Sequence, residues 1–261
     1  MAGTVIVSTS GTVARVTINR PEVMNAFDER LIAALTEAFR TVGSDPAVRA
    51  VLLTGNGRAF SAGADLNWMK RTADYSEAEN VEDARGLATL LKVIDRLEKP
   101  TIALVQGAAY GGGVGLVAAC DMAVAVPEAV FSLSEVRLGL LPAVISPYVV
   151  AAIGARQARR YFLTAERFDA HEAMRIGLVH AVAPREELEA AGAKLVAALA
   201  DGGPAAQAAT KSLIERVARG PIDDEMIEDT ARRIAALRAS PEGREGVHAF
   251  LEKRKPSWRA E

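Results

Sequence analysis

The sequence predicts an α/β core followed by a C-terminal helical layer. Three observations lead to it: strands and helices alternate up to about Ser146, helix-start signals dominate thereafter, and no repeat, low-complexity tract or linker separates the two regimes. The expected division is a core over 1–195 and a helical region over 196–261, the latter packing on the core or on a neighbouring subunit. With 261 residues, half of them hydrophobic, the chain can bury one large core.

Residues 5–8 and 13–18 are β-rich runs, and Thr9, Ser10, Gly11 and Thr12 between them predict a hairpin. Asp28 is placed to cap a helix whose apolar residues Leu31, Leu35, Ala38, Phe39 and Val42 recur at helical spacing. Residues 49–54 read as a buried strand stopped by Gly55 and Gly57. Ser76 and Glu79 have capping-box spacing, which predicts a helix running to Glu98 and stopped by Pro100. Residues 101–106 and 122–126 are the next strands. Asp169 with Glu172 repeats the capping spacing, and Pro184, Pro204 and Ser240-Pro241 mark further helix starts. Residues 178–182 are the one strand-like interruption in this later part.

A formal net charge of -2 leaves no basic footprint for nucleic acid or an anionic membrane. No apolar run reaches the length of a membrane span, and the opening MAGTVIVSTSGTVARV lacks the pattern of a secretory leader. The single cysteine, Cys120, excludes an internal disulfide, fits a reducing cytoplasm and has the apolar neighbours of a packed small side chain. A cytoplasmic protein without nucleic-acid or membrane partners is expected. His171, His180 and His248 have no metal-ligand spacing, so no metal is expected, and no Gly-x-Ser-x-Gly elbow supports a hydrolase triad.

Three segments punctuate the strand–helix alternation. Residues 60–66 follow a buried strand, and their small side chains would let a ligand approach the backbone. Residues 106–113, with Gly111, Gly112 and Gly113, end a strand and open a helix, where free N–H groups and the helix dipole favour negative charge. Residues 131–139 hold one carboxylate, Glu135, in apolar company, and burial would raise its pKa towards the range of a general acid or base. Each segment also has a plainer reading: a tight turn or close helix packing for the glycines, a helix cap for Asp65, and a surface or Arg137-paired residue for Glu135. The glycine run matches neither the dinucleotide fingerprint nor a phosphate-binding loop.

The order of these segments resembles the enoyl-CoA hydratase/isomerase (crotonase) family over nearly the whole chain. Asn19-Arg20-Pro21-Glu22-Val23-Met24-Asn25-Ala26-Phe27 is similar to its N-terminal motif, 60–66 and 106–113 to its two oxyanion-hole loops, and 131–139 with Pro142 to the stretch bearing a catalytic glutamate. The resemblance implies the crotonase-like (ClpP/crotonase) fold of repeated ββα units with a helical C-terminal region, assembled as a homotrimer or a hexamer. It implies a thioester oxygen held by the N–H groups of Ala64 and Gly112, with Glu135 as the acid–base residue. Met24, Ala26, Ala62, Asp65 and Leu66 would line the coenzyme A path, and Tyr110, Gly111 and Pro142 would contact the substrate. The implied partner is an acyl-CoA thioester, coenzyme A being part of the substrate rather than a cofactor.

One departure matters for the chemistry. The family's two-base hydratases carry a second glutamate where this chain has Gly115. A hydratase using one glutamate and a double-bond isomerase are both compatible with that. A non-catalytic acyl-CoA- or RNA-binding module is the third reading, disfavoured by the balanced charge. Residues 65–70, 110–116, 134–139 and the run LPAVISPYVV over 141–150 are similar to a bacterial subgroup associated with methylglutaconyl-CoA or γ-carboxygeranoyl-CoA hydration, in leucine and acyclic terpene breakdown. Such carboxylated substrates would want a cation; Lys70, Arg71 and Arg137 are candidates, with solvated surface charge as the plainer reading.

Overall fold

The structure, a computed structural model, describes residues 3–218 and 220–259. It divides into two compact units: residues up to Leu97 together with Thr101–Ala193, and Glu98–Pro100 together with the chain from Lys194 onward.

The first unit opens with the hairpin of β1 (Val5–Ser10) and β2 (Val13–Ile18). Ser10 pairs with Val13, so the turn is Gly11 and Thr12 alone and β1 runs past the predicted Ser8. In α1 (Glu29–Ser44) the Asp28 carboxylate accepts the Leu31 N–H, and Leu31, Leu35, Phe39 and Val42 are buried along one face.

One pattern then repeats: a longer strand, a short strand and a helical segment. β3 (Ala50–Gly55) and β4 (Ala59–Ser61) lead to α2 (Leu66–Thr72) and α3 (Glu77–Asp95). β5 (Thr101–Val105) and β6 (Ala108–Tyr110) lead to α4 (Gly112–Ala119). β7 (Met122–Ala125) and β8 (Val130–Ser132) lead to a 3-10 turn at Glu135–Leu138 and then α5 (Ser146–Thr164). β9 (Phe168–Asp169), α6 (Ala170–Ile176) and β10 (Ala181–Val182) follow. Only the last two residues of the predicted 178–182 strand pair as such, because 173–179 close the end of α6.

The longer strands form a sheet ordered β1-β2-β3-β5-β7-β10, parallel from β2 onward. Every residue of β3 and β5 is buried, as central parallel strands require. The short strands form a second sheet ordered β4-β6-β8-β9. β4, β6 and β8 are mutually parallel, so their carboxyl ends lie along one edge. That edge positions the site.

The second unit is helical. α7 (Leu188–Ala200) begins in the first unit, and α8 (Pro204–Ala218), α9 (Asp224–Ala239) and α10 (Pro241–Leu251) follow. Asp223 and Ser240 cap the last two, and the Glu242 carboxylate accepts the N–H groups of Ala205 and Ala206 at the positive end of α8. Among the described residues no helix is long and apolar enough to cross a membrane.

Candidate active site

Three chain segments leave the carboxyl ends of β4, β6 and β8 side by side, the position where parallel strands present ligand-binding loops. After β4, the loop is held by the segment Met24–Phe27, in which Met24 and Asn25 both take left-handed backbone. The Ala62 N–H donates to the Met24 carbonyl (2.9 Å), the Phe27 N–H to the Gly63 carbonyl (2.7 Å) and the Asp65 N–H to the Phe27 carbonyl (2.8 Å). Phe27 and Ala64 thus form a parallel bridge in which the bonds go to the neighbours of Ala64. The Ala64 N–H is left without an acceptor among the described residues, and Ala64 is exposed.

The loop after β6 abuts the first. Gly63, at φ +85°, lies so close to Tyr110 that a Cβ would come within 3.1 Å of the Tyr110 carbonyl oxygen. Gly111 takes φ +50° and donates its N–H to the Ser132 carbonyl at 2.9 Å, which ties the second loop to β8. α4 then starts at Gly112, whose N–H, at the helix N-terminus, has no acceptor among the described residues. A Cβ on Gly112 would sit 3.2 Å from the Phe27 ring. Phe27 therefore organises both free donors, Ala64 through its backbone and Gly112 through its buried ring.

The third segment supplies the carboxylate. Glu135 opens the 3-10 turn after β8, with its Oε1 placed 3.2 Å from where a Gly111 Cβ would be. Its Oε2 is buried, with no hydrogen-bond partner among the described residues. Burial pushes the Glu135 carboxyl pKa up, opposed only by its own backbone N–H. Two N–H donors and a proton-avid carboxyl beside one another can hold a developing oxyanion and move a proton next to it. Arg137, the alternative ion-pair partner, is exposed and makes no ion pair with Glu135.

The remaining predicted residues distribute around this centre. Asp65 is 7% exposed and caps α2, accepting the N–H groups of Asn67 and Trp68, and it pairs with Arg20 at 3.2 Å. Burial would raise its pKa, but those two N–H groups and the Arg20 guanidinium hold it below the usual carboxylate value. Its carboxylate is thus committed within the protein. Arg20 also bonds the Ala26 carbonyl and pairs with Asp28. Ala26 and Pro142 are buried, Ala62 and Tyr110 half-buried, and Met24 and Leu66 exposed. The Arg167 guanidinium lies 5.6 Å above the Tyr110 ring. Of the three candidate cations, Arg71 pairs with Glu29, while Lys70 and Arg137 are exposed. In α3, Glu79 closes the capping box on Ser76 and Glu82 pairs with Arg85.

Sequence reasoning passed over the structural roles of Asn25 and Phe27. Asn25 is fully buried in a left-handed conformation, and its side chain bonds the carbonyls of Asn56 and Ala59 and the Arg20 N–H. An asparagine in a short segment between strand and helix was the available signal, since asparagine tolerates that conformation best among residues with a side chain.

Comparison with known proteins bears on the fold and the family. The family model described as "Enoyl-CoA hydratase/isomerase" matches residues 8–261. The crotonyl-CoA hydratase of Syntrophomonas wolfei is 34% identical over 92% of this chain and 92% of its own. The crystal structure of an enoyl-CoA hydratase from Shewanella pealeana is 44% identical, with a TM-score of 0.96 over 98% of this chain and 96% of that one. Pseudomonas aeruginosa AtuE is 37% identical, with a TM-score of 0.94 over 99% and 100%. A matched model spanning almost the whole chain, on a fold whose repeated strand–strand–helix units carry the site, establishes that the chain belongs to the enoyl-CoA hydratase/isomerase family.

Proposed function

We propose that this enzyme adds water across the α,β double bond of an enoyl-CoA thioester, and that a carboxylated acyl group of the methylglutaconyl or γ-carboxygeranoyl kind is its preferred substrate. The observation that carries the hydratase reading is the unpartnered Glu135 oxygen beside Gly111, next to the free N–H of Gly112. In this reading the thioester oxygen accepts the Ala64 and Gly112 N–H groups. As water adds to the β-carbon, negative charge grows on that oxygen, and each donor is worth about 3 kcal/mol of barrier. Glu135 takes the proton from the attacking water and delivers one to the α-carbon, so the hydroxyl and hydrogen add to the same face.

Coenzyme A would enter past Met24–Ala26 and the 62–66 loop, and no separate cofactor or metal is required by these steps. Leu66, Leu138, Leu140 and Leu141 are exposed beside the Ala64 loop and the Glu135 turn, the surface an acyl chain would cover. The carboxylated acyl preference is supported by the subgroup resemblance of 134–139 and 141–150. A homotrimer or hexamer in the cytoplasm completes the proposal.

A double-bond isomerase is the second reading, favoured by one feature: a single carboxyl can shuttle one proton between carbons, and position 115 offers no second one. Incubation with crotonyl-CoA, methylglutaconyl-CoA and a 3-enoyl-CoA in heavy water, read by mass and NMR, separates the two. A new carbinol carbon, strongest with methylglutaconyl-CoA, is expected. Double-bond migration without water addition would move the enzyme to the isomerases.

A further inference from the structure

Gly115 lies one helical turn beyond the Gly112 donor, so the two share a face of α4. It is buried, and no side chain fits there. A Cβ would come within 2.3 Å of the Ile145 Cγ2 and 2.9 Å of the Ile145 Cβ, with a Leu91 methyl 3.7 Å away. A rotamer change does not relieve this, because one clashing atom is the Cβ itself and the side chain is β-branched and stiff at χ1. Ile145 is 3% exposed at the N-cap of α5, and α5 contacts both α4 and the turn that carries Glu135.

We infer that Ile145 is a specificity-determining residue: it fills the space any side chain at 115 would need, and so makes this a one-carboxylate site with an aliphatic wall in place of a second acid–base group. The inference rests on the hydratase reading of Glu135. Its chemical consequence is that the proton lost when water forms its bond to the β-carbon and the proton gained by the α-carbon both pass through Glu135.

Gly115→Glu is expected to lower the Tm by about 5–10 °C through overpacking. Gly115→Glu combined with Ile145→Gly should recover most of that loss, the non-additivity expected of residues in contact. In this double variant the introduced carboxylate shares proton transfer, so a further Glu135→Gln should cost at least about tenfold less in turnover than it costs the parent. An unchanged Tm for Gly115→Glu, or an equal Glu135→Gln loss in both backgrounds, overturns the inference while leaving the role of Glu135 intact. A parent indifferent to Glu135→Gln overturns the hydratase reading and the inference with it. Should the double variant not fold, Ile145→Ala decides: the kcat/KM ratio of branched to straight enoyl thioesters should move by about tenfold, and an unmoved ratio overturns the wall.

Discussion

At the scale of single residues, Glu135 is arranged for reactivity at the expense of stability. Its unpartnered oxygen and burial favour the protonated carboxyl in the folded chain. A carboxyl raised in this way contributes stability that is fully present below its unfolded pKa and is lost as pH rises through the folded value. Glu135→Gln should therefore show a higher Tm than the parent at pH 8, the difference vanishing below about pH 4. The same variant should bind coenzyme A thioesters nearly as the parent does and lose turnover by orders of magnitude, measured by product formation. Asp65 has the opposite sign. Its lowered pKa gives stability present above the unfolded value and lost as pH falls through the folded one. Asp65→Ala should cost about 1–2 kcal/mol at neutral pH by denaturant titration, the loss of a helix cap, with less cost at acid pH.

At the scale of elements, the short strands do the positioning. β4, β6 and β8 end at Ser61, Tyr110 and Ser132, and the loops that follow carry Ala64, Gly112 and Glu135. Gly111 is the joint between two of them, held at φ +50° with its N–H on the Ser132 carbonyl. Gly111→Ala adds backbone strain of about 1–3 kcal/mol and crowds the Glu135 Oε1. It should lower kcat by about a hundredfold while a melting curve still shows a folded protein. The long elements were legible because they carry periodicity and caps: Asp28, Ser76 and Asp169 each accept the N–H that the spacing predicted. The short strands were not, since runs such as Ala59–Ser61 and Val130–Ser132 hold too few residues to display alternation. Their segments read instead as punctuation between elements, which still marked Ala64, Gly112 and Glu135. The Phe27 ring under Gly112 and Ile145 against Gly115 are contacts between distant stretches, and local pattern carries no record of them.

At the scale of the whole molecule, the candidate site lies entirely within the first unit, while the second carries much exposed apolar surface. Ile222, Phe250 and Leu251 are 91%, 83% and 71% exposed, more than a helical unit facing only water would normally present. Phe250→Arg should shift the sedimentation profile towards smaller species if these side chains are covered by other copies of the chain. Activity per folded chain would then report whether assembly contributes to the site.

The dependence of both donors on Phe27 has a kinetic consequence. A ring near the N-terminus must meet backbone from two much later stretches before either N–H faces the place a thioester oxygen would occupy. Helices form from local contacts, but this junction closes only when long loops have closed. During refolding, then, helical signal returns early and the capacity to polarise a thioester returns last, so a half-folded chain has no opportunity to act on acyl-CoA.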